Sequence, residues 1–206
     1  DWDDAEAGLR ELVTAVPEAG ILGREALPVL ARLLARRGHP DAGEWLNRSW
    51  EMARQADVLG SLMPTCLAVV EAAWLAGEPE RATAAADLLL ARTDRPGAER
   101  VRAELLRYLR RLGRPVEPFP GCPDEFAAGL RGEPAVAAAA WERIGAPYER
   151  ALELAETDDV DAVLEAIAVL DGLGAAPAAR MARRALRGLG VPRGPPGPAG
   201  GGRGPQ

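Results

Sequence analysis

The sequence predicts an all-α fold, from its composition, its spacing of helix breakers and a recurring turn motif. Ala (41 residues) and Leu (27) fill a third of the 206 positions, whereas Val, Ile and Thr together supply 21. Strand formers are therefore scarce where helix formers are abundant, which excludes an extensive sheet. Gly, Pro or Asp interrupts the chain about every twenty residues, so the predicted helices are short.

The interruptions divide the chain into ten or eleven predicted helices. Within them apolar residues recur at the three- and four-residue spacings of a helix with one buried face, as Leu46, Trp50 and Ala53 do. The predicted helices are Asp4–Val16, Ile21–Arg37, Asp41–Ala56, Leu59–Ala76, Glu80–Arg92, Ala98–Leu112, Asp124–Arg131, Ala135–Ile144, Tyr148–Glu156, Val160–Leu173 and Ala178–Leu189.

A short turn motif recurs between predicted helices. It reads Gly38-His39-Pro40, then Gly77-Glu78-Pro79, then Gly132-Glu133-Pro134. The glycine can take the left-handed conformation that ends a helix, and the proline suits the first turn of the next helix, where no N–H is needed. Thr157-Asp158-Asp159 plays the same part with an aspartate cap. Each motif predicts a tight antiparallel helix hairpin.

Hairpins repeated along a chain are typical of an α-solenoid, in which each helix pair buries its apolar face against its neighbours. The segment Leu75–Ala82 resembles the middle of a tetratricopeptide repeat (TPR). The turns lie 39 and then 55 residues apart, however, instead of at the regular period of that repeat. We therefore expect an antiparallel helix-hairpin array, a TPR-like α-solenoid, with an irregular helical bundle as the alternative.

Two segments rich in Pro and Gly divide the chain. Residues 113–123 hold four prolines and two glycines, which predicts a connector between an N-terminal array, 1–112, and a C-terminal subdomain, 124–190. Residues 191–206 hold six glycines and five prolines, and we expect a disordered tail or linker there. The chain does not begin with Met, and we expect it to be part of a longer protein.

The charge and the cysteine content exclude several classes of function. The net charge is −6, and affinity for phosphate backbones needs clustered cations, so we expect no direct contact with nucleic acid. The two cysteines form neither a disulfide framework nor a Cys-x-x-Cys metal motif. This cysteine content is typical of proteins in the reducing cytoplasm, and we predict that location. The longest apolar run, 62–76, is interrupted by Pro64 and Glu71, so we predict a soluble protein without a membrane span.

No motif for catalysis is found in the sequence. The chain has no Lys, which a phosphate-binding loop requires, and its sole histidine, His39, cannot build a triad or a His-based metal site. His39 is predicted to face solvent in a turn. Cys66, among apolar neighbours, is interpreted as a small buried hydrophobe and Cys122 as more exposed. We predict no enzyme activity, no cofactor and no metal.

Two predicted helices carry many arginines. The first set is Arg100, Arg102, Arg107, Arg110 and Arg111, and the second is Arg180, Arg183, Arg184 and Arg187. Cations are common near helix C-termini and on solvated faces, so we interpret both sets as solvated. The second set has no interleaved acid and is the candidate surface for docking a partner. Four tryptophans, Trp45, Trp50, Trp74 and Trp141, are interpreted as core residues between stacked helices.

The C-terminal third resembles a known family. Ala140–Ala155 looks like the last helical repeats of large ATP-binding LuxR-type (MalT-like) bacterial regulators. Leu173–Arg180 and Leu186–Pro195 are similar to the segment that leads, in that family, into the DNA-binding helix-turn-helix. The resemblance implies a helical array that connects a nucleotide switch to a promoter-binding domain. This chain holds neither the phosphate loop nor the recognition helix.

These observations predict a non-catalytic helical-repeat module, the sensor or signal-coupling segment of a LuxR-family transcriptional regulator. It would bind a partner domain, a peptide or a small effector between its stacked helices. The alternative is a free-standing TPR-like adaptor for protein–protein interaction, with no link to transcription.

Overall fold

The computed structural model describes residues 2–15 and 21–190, and over these ranges the chain is α-helical throughout, with no strand. The all-α prediction is confirmed. Predicted and observed helix bounds differ by at most two residues. The helices are α1 (Trp2–Ala15), α2 (Ile21–Arg37), α3 (Ala42–Ala56), α4 (Leu59–Ala76), α5 (Pro79–Leu90), α6 (Glu99–Arg111), α7 (Asp124–Arg131), α8 (Pro134–Ile144), α9 (Pro147–Leu154), α10 (Val160–Gly172) and α11 (Ala176–Gly188).

The recurring Gly-x-Pro motif forms the predicted helix corners. Gly38, Gly77 and Gly132 adopt φ of 71°, 76° and 80°, which is strained for any residue with a Cβ. The residue after each glycine donates its N–H back to the last turn of the helix, which satisfies a carbonyl there. Pro79 and Pro134 then start α5 and α8. At the first corner the next helix begins later, at Ala42, because Pro40 and Asp41 lie in the turn.

Consecutive helices pack against each other along the chain, and α4 lies at the centre. It contacts α2, α3, α5, α6 and α11. The helix continues through Pro64, in agreement with its predicted bounds, Leu59–Ala76. By length and composition α4 could cross a membrane, but half of it is buried inside the protein, and Glu71 within it is fully buried. These are features of a core helix.

The last helix closes the array by packing back on the first helices. Besides its neighbour α10, α11 contacts α2 and α4. The contact is tight, because a Cβ added at Gly38 would lie 3.0 Å from Cγ of Pro177. In the preceding helix pair, Tyr148 of α9 stacks against Trp2 of α1 with ring centroids 5.5 Å apart. The array therefore returns on itself instead of extending in one direction.

Side chains from both sides of the connector share the largest apolar cluster. It joins Leu46 and Val70, which precede the connector, to Tyr148, Leu152 and Leu170, which follow it. The predicted role of residues 113–123, a connector between an N-terminal array and a C-terminal subdomain, stays a prediction. The predicted tail, 191–206, lies outside the described residues.

The tryptophans are buried to different degrees. Trp74 and Trp141 are 8% and 3% exposed, as predicted for core residues. Trp45 and Trp50 are only half-buried on α3, so the interpretation of all four as core was too broad. The reason is that α3 packs against α2 and α4 with one face only, and these two rings lie at its margin.

Candidate functional site

A fully buried carboxylate and a pair of arginines lie at the centre of an ion-pair cluster that joins four helices, α2, α4, α6 and α9. Arg32 and Arg36 lie one turn apart on α2, and both donate to Glu71 on α4, Arg36 Nε at 2.8 Å from Oε1. Arg32 also pairs with Glu104 on α6, and Arg36 Nη2 lies 3.1 Å from Glu149 on α9. We call these five residues the Glu71 cluster.

In the Glu71 cluster the opposite charges stabilise one another in their ionised forms. Burial opposes the charge on Glu71, but Arg32 and Arg36 outweigh burial and lower the pKa of this carboxyl from 4.5 to about 2. Burial likewise opposes the charge on Arg36, and Glu71 raises the pKa of its guanidinium above the ordinary value. The Arg36 guanidinium also lies 4.0 Å from the ring centroid of Tyr148, a cation–π contact that helps to hold it in the interior.

A second buried cluster repeats this arrangement on α6. Arg107 holds Glu153 by two hydrogen bonds, Nε to Oε1 at 2.9 Å and Nη2 to Oε2 at 2.6 Å. One turn later, Arg111 donates to Glu156 at 2.6 Å and to Glu153 at 3.0 Å. We call these four residues the Glu153 cluster. Its two positive and two negative charges balance, and it joins α6 to the end of α9.

The interpretation of the α6 arginines as a solvated face is wrong for two of them. The Arg107 and Arg111 side chains are only 3% and 7% exposed, because α9 brings Glu153 and Glu156 against them. One signal in the sequence pointed this way. Glu71 is the only charge in an apolar helix, and arginines spaced by four occur on three other helices, α2, α6 and α11. A lone buried acid needs such partners.

A glycine makes room for the buried Arg107. Gly129 lies inside α7, and a Cβ added there would lie 3.0 Å from Cδ of Arg107 and closer still to Nε. We expect Gly129→Ala to lower the free energy of unfolding by ~1–3 kcal/mol, because the guanidinium must shift off Glu153. Urea denaturation measures this loss.

The matched control is Gly43→Ala on α3, where no atom lies within 4 Å of an added Cβ. This change is expected to stabilise the protein by roughly 0.5–1 kcal/mol, the ordinary gain from alanine in a helix. A Gly129→Ala variant that is stabilised like Gly43→Ala would show that Arg107 is not held where the structure places it.

A large open cavity lies beside the Glu153 cluster, between α4, α6, α9 and α11. We call it the arginine groove, and its volume is about 580 Å³. Its polar side is formed by Arg107, Arg110, Arg111, Arg114 and Glu156. Its apolar side is formed by Trp74, Leu152, Ala178, Met181, Ala182 and Ala185. A concave, largely apolar surface with a few convergent polar groups is typical of a ligand site.

The charges of the groove do not cancel. Arg107 and Arg111 are neutralised by the two glutamates of the Glu153 cluster. Arg114 forms an exposed ion pair with Asp87 at 2.8 Å, which contributes little because solvent screens it. Arg110 forms no ion pair with any residue that the structure describes. One positive charge is therefore uncompensated at the edge of the groove, where Arg110 also lines a neighbouring cavity and its Nη2 lies against Gly132.

The predicted docking arginines lie on another surface. Arg180, Arg183, Arg184 and Arg187 are exposed on α11, as expected for a solvated face. Arg183 pairs with Asp171 of α10. By the helical period, Arg183 and Arg187 lie on the side of α11 opposite to Met181 and Ala185, which line the groove, whereas Arg184 is a helix-surface neighbour of Met181. Their role in docking stays a prediction, and they do not contribute to the arginine groove.

The remaining single residues fit their structural interpretation. Cys66 is fully buried, and burial raises the pKa of its thiol to about 12, so it remains protonated. Cys122 is half-buried and therefore more exposed, as predicted. His39 is partly exposed in its turn, and its Nδ1 lies 3.6 Å from Oδ2 of Asp41. Across the described ranges, no group of three metal-ligating side chains comes together.

Comparison with known proteins adds no further constraint on the site. No family model, curated protein or solved structure matches this chain.

Proposed function

We propose that this chain is a non-catalytic helical-repeat module that binds a ligand or partner in the arginine groove. The groove is the observation that carries the proposal. It combines a volume within the range of roughly 300–1,000 Å³ typical of small-molecule sites with one uncompensated cation and an apolar wall. Rigid helices form it on three sides, so a ligand would meet a preformed surface.

The groups in the groove support binding over catalysis. Burial opposes the charge on Glu156, but Arg111 and Arg107 outweigh it and lower the pKa of this carboxyl. A general acid or base must exchange a proton near neutral pH, and Glu156 is held ionised instead. The arginines are permanently charged. These side chains can recognise an anion, and a carboxylate that is held ionised between two arginines is a poor general acid.

The wider context of the proposal is a signal-coupling segment of a LuxR-type transcriptional regulator. The resemblance of Ala140–Ala155 and Leu186–Pro195 to that family supports it, as do the TPR-like Gly-x-Pro hairpins that join successive helices. The contacts of α11 with α2 and α4, which close the array, support a role in signal coupling. A ligand in the groove touches α4, α6, α9 and α11, and α11 ends beside the segment where the family continues toward DNA.

The test of this context is the gene sequence on both sides of the region that encodes this chain. We expect a phosphate-binding loop upstream and a helix-turn-helix downstream, both in frame. Their absence would overturn the assignment to a regulator. It would leave the alternative, a free-standing TPR-like adaptor, for which the four exposed arginines of α11 are the candidate docking surface.

A further inference from the structure

The arginine groove has the chemistry to select one class of ligand. Its polar side ends in a single cation without an ion pair, Arg110, with Arg114 nearby in a weak, exposed pair with Asp87. Its other side is apolar, so a fully polar ion would leave that wall in contact with water. A fully apolar ligand would in turn leave Arg110 without a counter-charge.

We infer that the groove binds an amphipathic monocarboxylate, with the carboxylate on Arg110 and Arg114 and an aliphatic chain along α11. This inference rests on the proposed binding function and names the ligand class for it. A planar carboxylate can accept two parallel hydrogen bonds from one guanidinium, which gives both affinity and orientation. One negative charge also matches the net charge of the groove.

The apolar wall fits a flexible chain better than a flat ring system. On α11 it consists of Ala178, Met181, Ala182 and Ala185, three small side chains and one unbranched, adaptable one. Ala178 and Ala182 are almost fully buried, so Met181 and Ala185 form most of the accessible surface of α11 here, and Met181 can change rotamer to follow a chain. Trp74 closes the inner end, where the Arg111 guanidinium covers its ring at 5.3 Å. Each methylene that is buried against this wall adds to the affinity, so we expect affinity to rise with chain length.

The experiment is isothermal titration calorimetry of the full 206-residue chain with sodium decanoate. Three comparison ligands test the role of the carboxylate and the role of the aliphatic chain separately. 1-Decanol keeps the chain and removes the charge, sodium butyrate keeps the charge and shortens the chain, and decyl phosphate keeps the chain and adds charge. We expect saturable binding of decanoate and at least tenfold weaker binding of the other three. No binding of decanoate, or equal binding of any comparison ligand, would overturn the assignment of the ligand class.

Two variants locate the binding. Arg110→Gln removes the uncompensated charge and is expected to weaken decanoate binding at least tenfold, with little effect on folding because Arg110 forms no ion pair with a described residue. Ala185→Trp places a large side chain in the groove from an exposed position and is expected to abolish binding. The control is Arg187→Gln, an exposed position on the opposite side of α11, which is expected to leave the dissociation constant unchanged. Circular dichroism checks that each variant is folded.

The outcomes separate this inference from the proposed function. Decanoate that binds wild type and Arg110→Gln equally well would place the ligand elsewhere and overturn the inference. If decanoate fails to bind while the gene carries the phosphate loop and the helix-turn-helix, the ligand class is wrong and the regulator assignment stands. If decanoate binds as expected but both flanking motifs are absent, the site stands and the regulator assignment falls.

Discussion

Replacing Glu71 by Gln is expected to lower the free energy of unfolding by ~3–5 kcal/mol, the range found when one partner of a buried ion pair is removed. The Glu71 side chain is fully buried and receives hydrogen bonds from both Arg32 and Arg36. A neutral amide leaves the two guanidinium groups short of negative charge in the interior. Since small domains are stable by only about 5–15 kcal/mol, this loss is large. Urea denaturation followed by circular dichroism measures it.

The matched control is Glu51→Gln on α3, where the carboxylate is exposed and pairs with no described residue. We expect this change to alter stability by less than about 0.5 kcal/mol. If Glu71→Gln were as mild as this control, the Glu71 cluster would not contribute the stability that its burial implies.

Glu71 also predicts a specific loss of stability in acid. Its pKa in the folded protein is about 2, below the 4.5 of the unfolded chain. The contribution of this carboxylate is therefore complete above pH 4.5 and is lost as the pH falls toward 2, by about 3 kcal/mol in total. We expect the stability difference between wild type and Glu71→Gln to shrink over this window. A difference that stays constant from pH 6 to pH 2 would contradict the lowered pKa.

Trp74→Ala is expected to cost ~3–5 kcal/mol, as for other buried large aromatic residues. The ring is 8% exposed, and its centroid lies 5.5 Å from that of Tyr108. Its removal leaves a cavity in the centre of the molecule and also uncovers the Arg111 guanidinium, which lies over the ring. Thermal and urea denaturation measure the loss.

Trp50→Ala serves as the comparison, because Trp50 is half-buried and lies at the margin of the core. We expect a clearly smaller loss for it than for Trp74→Ala. A loss below about 1 kcal/mol for Trp74→Ala, together with weaker decanoate binding, would reassign Trp74 from the core to the ligand surface of the arginine groove.

The arginines show where prediction from the sequence stops. The four on α11 are exposed, as predicted, whereas Arg107 and Arg111 are buried although both sets were interpreted as solvated. Within one helix nothing distinguishes a solvated arginine from a buried one. The difference depends on whether another helix brings a carboxylate to it, and Arg107 lies 46 positions from Glu153.

The arginine groove was missed for the same reason. Its walls come from α4, α6, α9 and α11, and sequence spacing does not place these segments side by side. The tight fit of Pro177 against Gly38 closes the array and brings α11 over the core. The prediction of a docking surface selected the arginines of α11 because no acid is interleaved with them, yet the cation without an ion pair among the described residues that lines the groove is Arg110 on α6.

The sequence by itself determined the secondary structure and the helix corners, because both are local. A helix ends where Gly77 or Gly132 can turn left-handed and the next begins where a proline needs no N–H donor, and these preferences act over a few residues. Only the tertiary structure decided which charges are buried and where a ligand can bind. Arg36 and Glu149 lie 113 positions apart, and their pairing can offset the desolvation cost of their charges only after the helices between them have packed.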